Sequence, residues 1–297
     1  MPDPQNAWVS LRSPELLAEI DPLGAQLSIL RDRAGRDLLW NGDPSVWAGR
    51  APLLFPIVGA LVEGHYRLGA SSYALPRHGF ARGKGFETAG RAPTVATFRL
   101  RADATTLGVY PFQFELLVRY AAQGAALSVR TTIRNAGETE MPASFGYHPA
   151  FRWPLPYGQE RAAHFIEFDS DEPAPVRRLD AAGLLTSGPR PTPVAGRRLD
   201  LTDALFRDDV LIFDQLNSRS VTYGAGVGPR IQVSFPDARY VGLWTKPGAP
   251  FICIEPWHGI ADPAGFTGDF TQKPGVFSLS PGGAMTTEMI LTLLPAS

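Results

Sequence analysis

Apolar and polar residues alternate along much of the chain, and this alternation predicts a protein built from β-strands. Successive side chains of a strand point to opposite faces, so a strand that buries one face carries an apolar residue at every second position. Five segments follow this pattern, at 95–100, 114–120, 127–133, 231–235 and 285–294. We therefore predict many half-buried strands, paired mainly in antiparallel fashion.

The breaks between these segments have the chemistry of tight turns. Glycine and proline contribute 30 and 28 of the 297 residues, which disfavours long helices. The connections at 121–124 and 135–137 suit hairpins. A single short helix is predicted within 200–208, where Asp200 or Thr202 could act as its cap. The predicted fold class is all-β: a large antiparallel β-sandwich with few short helices.

The chain is predicted to form one domain, residues 1–297. No internal repeat and no low-complexity linker divides the sequence. Segment 173–198 is rich in proline, glycine and arginine and is predicted to be a long surface excursion.

One stretch, 240–262, combines strand character with candidate chemistry. It predicts two short strands joined by a turn at Pro247 and Gly248, and residues 251–254 are continuously apolar, as in a strand covered on both faces. This strand leads directly into Glu255, Pro256 and Trp257. A carboxylate at the end of a buried strand, beside an indole, loses hydration, and this raises its pKa towards that of a general base. The alternative, left open by this stretch alone, is an acid that caps a turn.

A second candidate is His148, in the segment 144–151. A predicted strand at 141–146 would place this histidine at its end, between Tyr147 and Phe151. Histidine donates or accepts a proton near neutral pH at little cost. The alternative is a half-buried histidine that is hydrogen-bonded within an aromatic cluster.

Two further segments bring cations and a histidine near apolar sequence. The loop 76–82 is predicted to present His78 and Arg82 together. Arg50 directly precedes the very apolar segment 51–59. An arginine in that position either lies along the surface or directs its guanidinium into a pocket, where it could bind hydroxyl pairs or carboxylates.

Charge and composition exclude several classes of function. The 28 basic and 29 acidic residues nearly cancel, and no dense basic cluster favours nucleic acid or an anionic membrane as a partner. The single cysteine, Cys253, allows no internal disulfide, and the amino terminus has no signal-peptide pattern, so a cytoplasmic protein is expected. The apolar tract 51–62 is too short to span a bilayer.

Cofactor and metal motifs are not found. The five histidines never occur at H-x-H or H-x-x-x-H spacing, and no dinucleotide-binding, phosphate-loop or G-x-S-x-G motif is present. We therefore expect no metal and no cofactor. Cys253 lies within an apolar run and is predicted to be a packed residue, not a nucleophile.

Four motifs together resemble a known family. The sequences W-A-G-R-A-P-L-L-F-P-I-V-G, R-H-G-F-A-R, F-G-Y-H-P-A-F and I-E-P-W-H-G-I-A-D occur in this order. They resemble the aldose 1-epimerase (galactose mutarotase-like) family, especially its lactose-operon X-protein-like branch. The resemblance covers nearly the whole chain and implies a β-sandwich of the galactose mutarotase type.

The resemblance also implies roles for individual residues. His148 matches the family's general acid and Glu255 its general base, whereas Arg50 and His78 match positions that bind sugar hydroxyls or the ring oxygen. Asp209 resembles the sugar-binding aspartate, with Asp208 as the alternative match. Two more expectations concern the substrate: Arg82 matches an arginine near the phosphate in a sugar-phosphate branch, and the pocket is expected to be lined by Trp257 and Trp244.

The implied reaction interconverts the α and β anomers of a hexose by acid/base ring opening. Both proton-transfer groups should then titrate near neutrality, so the pKa of Glu255 should rise from about 4.3 and that of His148 should stay near about 6.5. Three alternatives stay open: a hexose-6-phosphate 1-epimerase using Arg77 and Arg82, a non-enzymatic carbohydrate-binding protein of the same fold, and a glycosidase with Asp262 as its second carboxylate. The expected partner is a small sugar, bound by a monomer or a homodimer.

Overall fold

The computed structural model describes residues 8–296, and the prediction about a signal peptide lies partly outside these residues. Twenty-two strands carry the fold. They are β1 (Val9–Arg12), β2 (Leu16–Asp21), β3 (Gln26–Asp32), β4 (Leu53–Leu54), β5 (His65–Leu68), β6 (Ser71–Ala74), β7 (Glu87–Ala92), β8 (Val95–Arg101), β9 (Phe114–Gln123), β10 (Ala126–Asn135), β11 (Met141–Ala143), β12 (Phe145–Tyr147), β13 (Ala150–Arg152), β14 (His164–Phe168), β15 (Arg198–Asp200), β16 (Leu211–Phe213), β17 (Ser220–Ala225), β18 (Arg230–Ser234), β19 (Tyr240–Trp244), β20 (Phe251–His258), β21 (Phe277–Leu279) and β22 (Ala284–Leu294).

Helical structure is confined to short elements. The helix α1 (Ala104–Leu107) begins at Asp103, whose side chain accepts from the Thr106 N–H in a capping box. The helix predicted within 200–208 is a 3₁₀ turn at Asp203–Phe206. Of the two predicted caps, Thr202 occupies the N-cap position, but its side chain makes no capping hydrogen bond. Within residues 8–296 no helix is long and apolar enough to cross a membrane.

Two antiparallel sheets dominate the architecture. One has nine strands in the order β15-β14-β17-β18-β22-β10-β9-β8-β7. The other has the order β16-β19-β20-β12-β4, with β13 also paired to β20. Three smaller sheets accompany them, β1-β2-β3, β11-β21 and β5-β6. The predicted all-β, antiparallel fold class is confirmed.

The alternating segments form the centre of the nine-stranded sheet. β9 and β10 are ten-residue strands of one hairpin, joined through Gly124, whose φ of +56° favours glycine. Phe98, Val118 and Val129 from this sheet share one buried cluster with Phe145 from the six-stranded sheet. The apolar faces of both sheets therefore contribute to a common core.

The two faces of strand β20 pack against different hydrophobic clusters. Ile252 and Ile254 belong to the main core, whereas Phe251 and Cys253 pack in a separate cluster on the other face. Glu255 follows at the same two-residue interval, so its side chain is directed away from the main core. All eight residues of β20 are buried, as the continuous apolar run predicted for both faces.

Candidate functional site

The structure brings His148 and Glu255 together. The predicted strand at 141–146 is two strands, β11 and β12, and His148 lies in the short crossing between β12 and β13. Both β12 and β13 pair with β20, which positions His148 opposite Glu255. The His148 Nε2 and Glu255 Oε2 atoms are 3.1 Å apart, and the two residues are only 7% and 1% exposed.

Burial shifts the pKa values of these two groups in opposite directions. Burial, and then the charge of Asp209, raises the pKa of Glu255 well above its ordinary value, with a smaller opposing effect from Trp257. Burial lowers the pKa of His148 to about 3, and Arg82 adds to this shift. Both shifts favour a neutral pair that holds one proton, with the Glu255 carboxyl donating to Nε2 of His148.

The rise at Glu255 agrees with the sequence prediction, whereas a His148 pKa near 6.5 is wrong. The imidazole is enclosed by tryptophans: Trp47 stacks on it at a centroid distance of 5.1 Å, and Trp244 meets it edge-on at 5.9 Å. This enclosure removes the hydration that would stabilise an imidazolium.

His78 is held as a neutral hydrogen-bond donor. The backbone N–H of Gly59 donates to His78 Nδ1 at 3.1 Å, so the ring proton of the neutral histidine resides on Nε2. Burial lowers the pKa of His78 well below its ordinary value, and the nearby charges of Arg82 and Arg77 act in the same direction. Its ring contacts that of His148 edge-on at 5.7 Å.

A cavity of about 290 Å³ opens onto this group of residues. Its walls combine aromatic rings, cations and one further carboxylate. The residues concerned are Trp47, Trp244, Trp257, His78, His148, Glu255, Asp209, Arg77, Arg82 and Lys246. Aromatic faces with a few convergent polar groups are the usual lining of a small-molecule site.

Trp257 reaches the cavity because its neighbouring strands leave room for it. A Cβ atom on Gly242 would come within 2.4 Å of the Trp257 ring. The indole Nε1 is buried and has no hydrogen-bond partner within residues 8–296. It lies near Glu255, whose pKa it lowers, and it could donate to a ligand that approaches that carboxyl.

Three cations at the cavity have no carboxylate partner among the described residues: Arg77, Arg82 and Lys246. Arg82 donates through Nη2 to the Arg77 carbonyl at 2.9 Å. Burial and the proximity of Arg77 lower the pKa of Arg82. Lys246 donates to the carbonyl of Val46. Since Glu255 is held neutral, Asp209 is the principal counter-charge, and the cavity is positively charged.

The structure distinguishes between the two candidate aspartates. Asp209 lines the cavity, whereas Asp208 lies on an adjoining cleft and is not part of the cavity wall. Asp209 has a φ of +63°, and Arg178 Nη1 donates to its carbonyl at 2.9 Å. The Asp209 carboxylate is close enough to contribute to the raised pKa of Glu255.

Arg50 is not brought to the cavity. Its Nη1 donates to the carbonyl of Ser28 at 3.0 Å, and its guanidinium lies 4.9 Å above the ring of Trp8. The position therefore does not support the expected contact with a sugar. The guanidinium instead lies against the three-stranded sheet β1-β2-β3, since Ser28 is part of β3.

The predicted surface excursion 173–198 contributes to the site. Isolated bridges join Leu179 to Leu185 and Leu185 to Pro263, which folds a hairpin over the cavity. Leu179 and Gly183 line its wall, and Arg77 Nη2 donates to the Ala182 carbonyl at 3.4 Å. The sequence analysis did not identify this hairpin, Lys246 or the stacking of Trp47 on His148. The two adjacent leucines, Leu184 and Leu185, were a signal in the sequence that the hairpin packs against the protein.

A second buried pair lies beside the cavity wall. Lys273 Nζ donates to Asp262 Oδ1 at 2.6 Å, and the N–H of Val62 donates to Asp262 Oδ2 at 2.9 Å. Asp262 also accepts through its carbonyl from the Leu185 N–H at 2.8 Å. Burial lowers the pKa of Lys273, opposed by the charge of Asp262. Asp262 is thus committed to structure and does not line the cavity, which removes it as a glycosidase carboxylate.

One set of metal-ligating side chains is assembled across the strands. The ligand atoms of His148, Cys253 and Glu255 all lie within 4.8 Å of one another. Spacing in the sequence could not reveal this set, because His148 comes from a different strand connection. Cys253 is fully buried, as predicted, and burial raises the pKa of its thiol well above the ordinary value.

Known proteins are similar to this chain in sequence and in fold. A plasmid-encoded protein LacX from Lactococcus lactis subsp. lactis is 32% identical over 297 residues, covering 96% of this chain and 99% of that protein. A galactose mutarotase related enzyme from Lactobacillus acidophilus has a TM-score of 0.90 at 28% identity, covering 98% of both chains. A galactose mutarotase-like protein from Lactobacillus casei ATCC 334 has the same TM-score and identity and covers 97% of this chain and 100% of its own.

A sequence model described as aldose 1-epimerase matches residues 8–277, and this range includes His148, Glu255 and every other residue of the cavity wall. The resemblance drawn from the four motifs is confirmed. The chain belongs to the aldose 1-epimerase family.

Proposed function

We propose that this protein is an aldose 1-epimerase that interconverts the α and β anomers of a hexose, with His148 and Glu255 as its proton-transfer pair. Family membership supports a carbohydrate epimerase or mutarotase. The observation that carries the finer assignment is the 3.1 Å contact between the two side chains, buried at the wall of a sugar-sized cavity.

The reaction needs one proton to be removed and one to be supplied. The O1 hydroxyl loses its proton while the ring oxygen gains one, the C1–O5 bond breaks, C1 rotates about C1–C2, and the ring closes on the other face. A pair that shares one proton balances these transfers, because one member accepts from O1 as the other donates to O5. Ring closure reverses the two roles.

The assignment of His148 as acid and Glu255 as base requires the shared proton to move. Burial favours the proton on Glu255, whereas general base action needs a carboxylate. Transfer across the 3.1 Å hydrogen bond creates an imidazolium and a carboxylate in direct contact, so no isolated charge is buried. We propose that sugar binding drives this transfer, since hydroxyl groups can donate to the carboxylate.

Other cavity residues would orient the ring. His78 offers an N–H from Nε2, Trp257 offers a free indole N–H, and Asp209 offers a carboxylate to hydroxyl groups. The indole faces of Trp47 and Trp244 provide flat apolar surfaces for the C–H face of a sugar.

The test is anomer exchange of freshly dissolved α-glucose and α-galactose, followed by polarimetry or by NMR exchange spectroscopy. We expect the protein to accelerate exchange over buffer for at least one sugar. Exchange at the rate of buffer for free sugars and sugar phosphates alike, with binding still measurable, would instead indicate a non-enzymatic carbohydrate-binding protein.

A second candidate, a hexose-6-phosphate 1-epimerase, is favoured by the uncompensated charges of Arg77, Arg82 and Lys246. A charged hydrogen bond to phosphate contributes about 1.5–3 kcal/mol, so Arg82→Ala should lower kcat/KM for a hexose 6-phosphate by about 10–100-fold. Exchange of the free hexose should change much less. Equal losses for both substrates would argue against phosphate recognition by Arg82.

A further inference from the structure

We propose that His148, Cys253 and Glu255 form a binding site for one thiophilic divalent cation, such as Zn²⁺, and that its occupancy blocks the proton-transfer pair. The blocking effect rests on the proposed function, whereas cation binding does not.

The three side chains converge because of strand geometry. Cys253 and Glu255 are two residues apart on β20 and therefore project from the same face. The pairing of Ala150 with Cys253 brings the β12–β13 crossing, and with it His148, to that face. All three ligand atoms lie within 4.8 Å of one another, and His148 Nε2 is 3.1 Å from Glu255 Oε2. Ligand atoms around a tetrahedral zinc ion lie about 3.3–3.7 Å apart, so small side-chain movements suffice.

The charges of this set suit a divalent cation. A thiolate and a carboxylate together neutralise two positive charges, and a neutral imidazole adds a lone pair without adding charge. Binding would follow the balance M²⁺ + Cys–SH + Glu–COOH → M(Cys–S⁻)(Glu–COO⁻) + 2 H⁺, with His148 coordinating through Nε2. Burial disfavours an isolated thiolate or carboxylate here, but the bound complex carries no net charge.

The ligand types determine which cations should bind. A thiolate and an imidazole prefer Zn²⁺, Co²⁺ or Cd²⁺ to Mg²⁺ or Ca²⁺, which favour oxygen ligands. His148 Nδ1 has no hydrogen-bond partner in the described part of the chain. No protein group therefore fixes the proton of the neutral ring on Nε2, and once Glu255 releases its proton the Nε2 lone pair can coordinate a cation.

Access and the consequence for catalysis follow from the position of the set. His148 and Glu255 line the cavity while Cys253 lies behind them, so a cation can enter through the cavity and keep one position open towards it. A bound cation would occupy the Nε2 lone pair and the carboxylate that the proton transfer requires. Anomer exchange should then stop until the cation is removed.

The test is a Co²⁺ titration of the metal-free protein, followed by the thiolate-to-cobalt charge-transfer absorption. Because Cys253 is the single cysteine of the chain, any such band must come from it. We expect a band that saturates at one ion per chain, disappears when Zn²⁺ is added and is unaffected by Mg²⁺.

Two variants supply the controls. Cys253→Ala and Cys253→Ser should both lose the band, and Cys253→Ser preserves the volume of the side chain if the alanine variant folds poorly. In either folded variant, inhibition of anomer exchange should need at least tenfold more Zn²⁺, while exchange without metal stays close to that of the original protein.

Absence of the band in the original protein, or equal Zn²⁺ affinity in the variants, would overturn the proposal. A clear band in a protein that never accelerates anomer exchange would support the cation site and remove the proposed function.

Discussion

This fold contains two buried acid–base pairs, and they differ in how many hydrogen-bond partners their side chains have. In the Asp262–Lys273 pair each carboxylate oxygen has a donor, Lys273 Nζ at 2.6 Å and the Val62 N–H at 2.9 Å. In the His148–Glu255 pair the side chains contact each other at 3.1 Å, and Nδ1 of the histidine has no partner among residues 8–296.

The difference separates a structural role from a chemical one. A buried ion pair whose carboxylate oxygens both accept hydrogen bonds fixes its surroundings, since breaking it leaves an uncompensated charge. The His148–Glu255 pair has fewer partners and is held neutral instead, and both of its residues line the cavity that a ligand would enter. Burial alone therefore does not identify a site, whereas burial with unused hydrogen-bonding capacity does.

The largest effect should come from removing the two side chains proposed to transfer protons. Glu255→Gln and His148→Asn should each lower kcat by about 10²–10⁴ with a smaller change in KM, because each removes a proton donor or acceptor of the transition state. The measurement is the anomer exchange rate at several sugar concentrations.

The matched control is Glu172→Gln, a buried carboxylate away from the cavity that accepts from the Asn217 and Ser218 N–H groups. The kcat of the Glu172→Gln variant should equal that of the original protein. A large rise in KM at constant kcat in the His148 and Glu255 variants would make those residues binding groups only.

The opposite result is expected for the structural pair. Lys273→Met leaves a buried carboxylate without its cation and should lower the free energy of unfolding by about 3–5 kcal/mol. Adding Asp262→Asn removes the charge while keeping an oxygen for the Val62 N–H, so the double variant should regain most of the loss. Urea unfolding of both single variants and the double variant gives the coupling energy.

Two outcomes of this comparison of single and double variants would contradict a structural role for Asp262 and Lys273. One is a double variant no more stable than Lys273→Met. The other is a folded double variant whose kcat falls as far as that of Glu255→Gln.

The smallest expected effect is a pH-dependent gain in stability for Glu255→Gln. The folded pKa of Glu255 is raised above its ordinary value of 4.5, so its contribution to stability is complete below that value and is lost as pH rises through the folded pKa. Glutamine does not ionise, so the variant should melt higher than the original protein by a margin that grows with pH.

Each kcal/mol gained should raise Tm by about 2–4 °C, which calorimetry over a pH series can resolve. The Asp262→Asn/Lys273→Met variant serves as the comparison. A margin for Glu255→Gln that shrinks with rising pH would show that burial does not raise the pKa of Glu255.

Much of the fold could be predicted from the sequence because its strands alternate. The segments at 95–100 and 127–133 lie within β8 and β10, where each second side chain is buried. Glu255 could be identified because it follows a continuous apolar run, and His148 because it follows a predicted strand. The single domain over 1–297 stays a prediction.

The parts that the sequence did not reveal depend on contacts between distant segments. The aromatic neighbours of His148 in the chain, Tyr147 and Phe151, are buried in the core, and the Tyr147 hydroxyl donates to the Val129 carbonyl. The rings that lower its pKa come instead from Trp47 and Trp244. Local sequence shows which residues adjoin a histidine, but not which ones enclose it.

Gly183, a buried residue of the hairpin over the cavity, constrains the position of a charge in the cavity wall. Its φ of +81° favours glycine, and a Cβ atom added there would lie 1.9 Å from Arg77 Nη2. Any larger residue must displace that guanidinium or move the hairpin. A substitution at this buried position of the cavity wall would therefore change where the positive charge of Arg77 lies within the cavity.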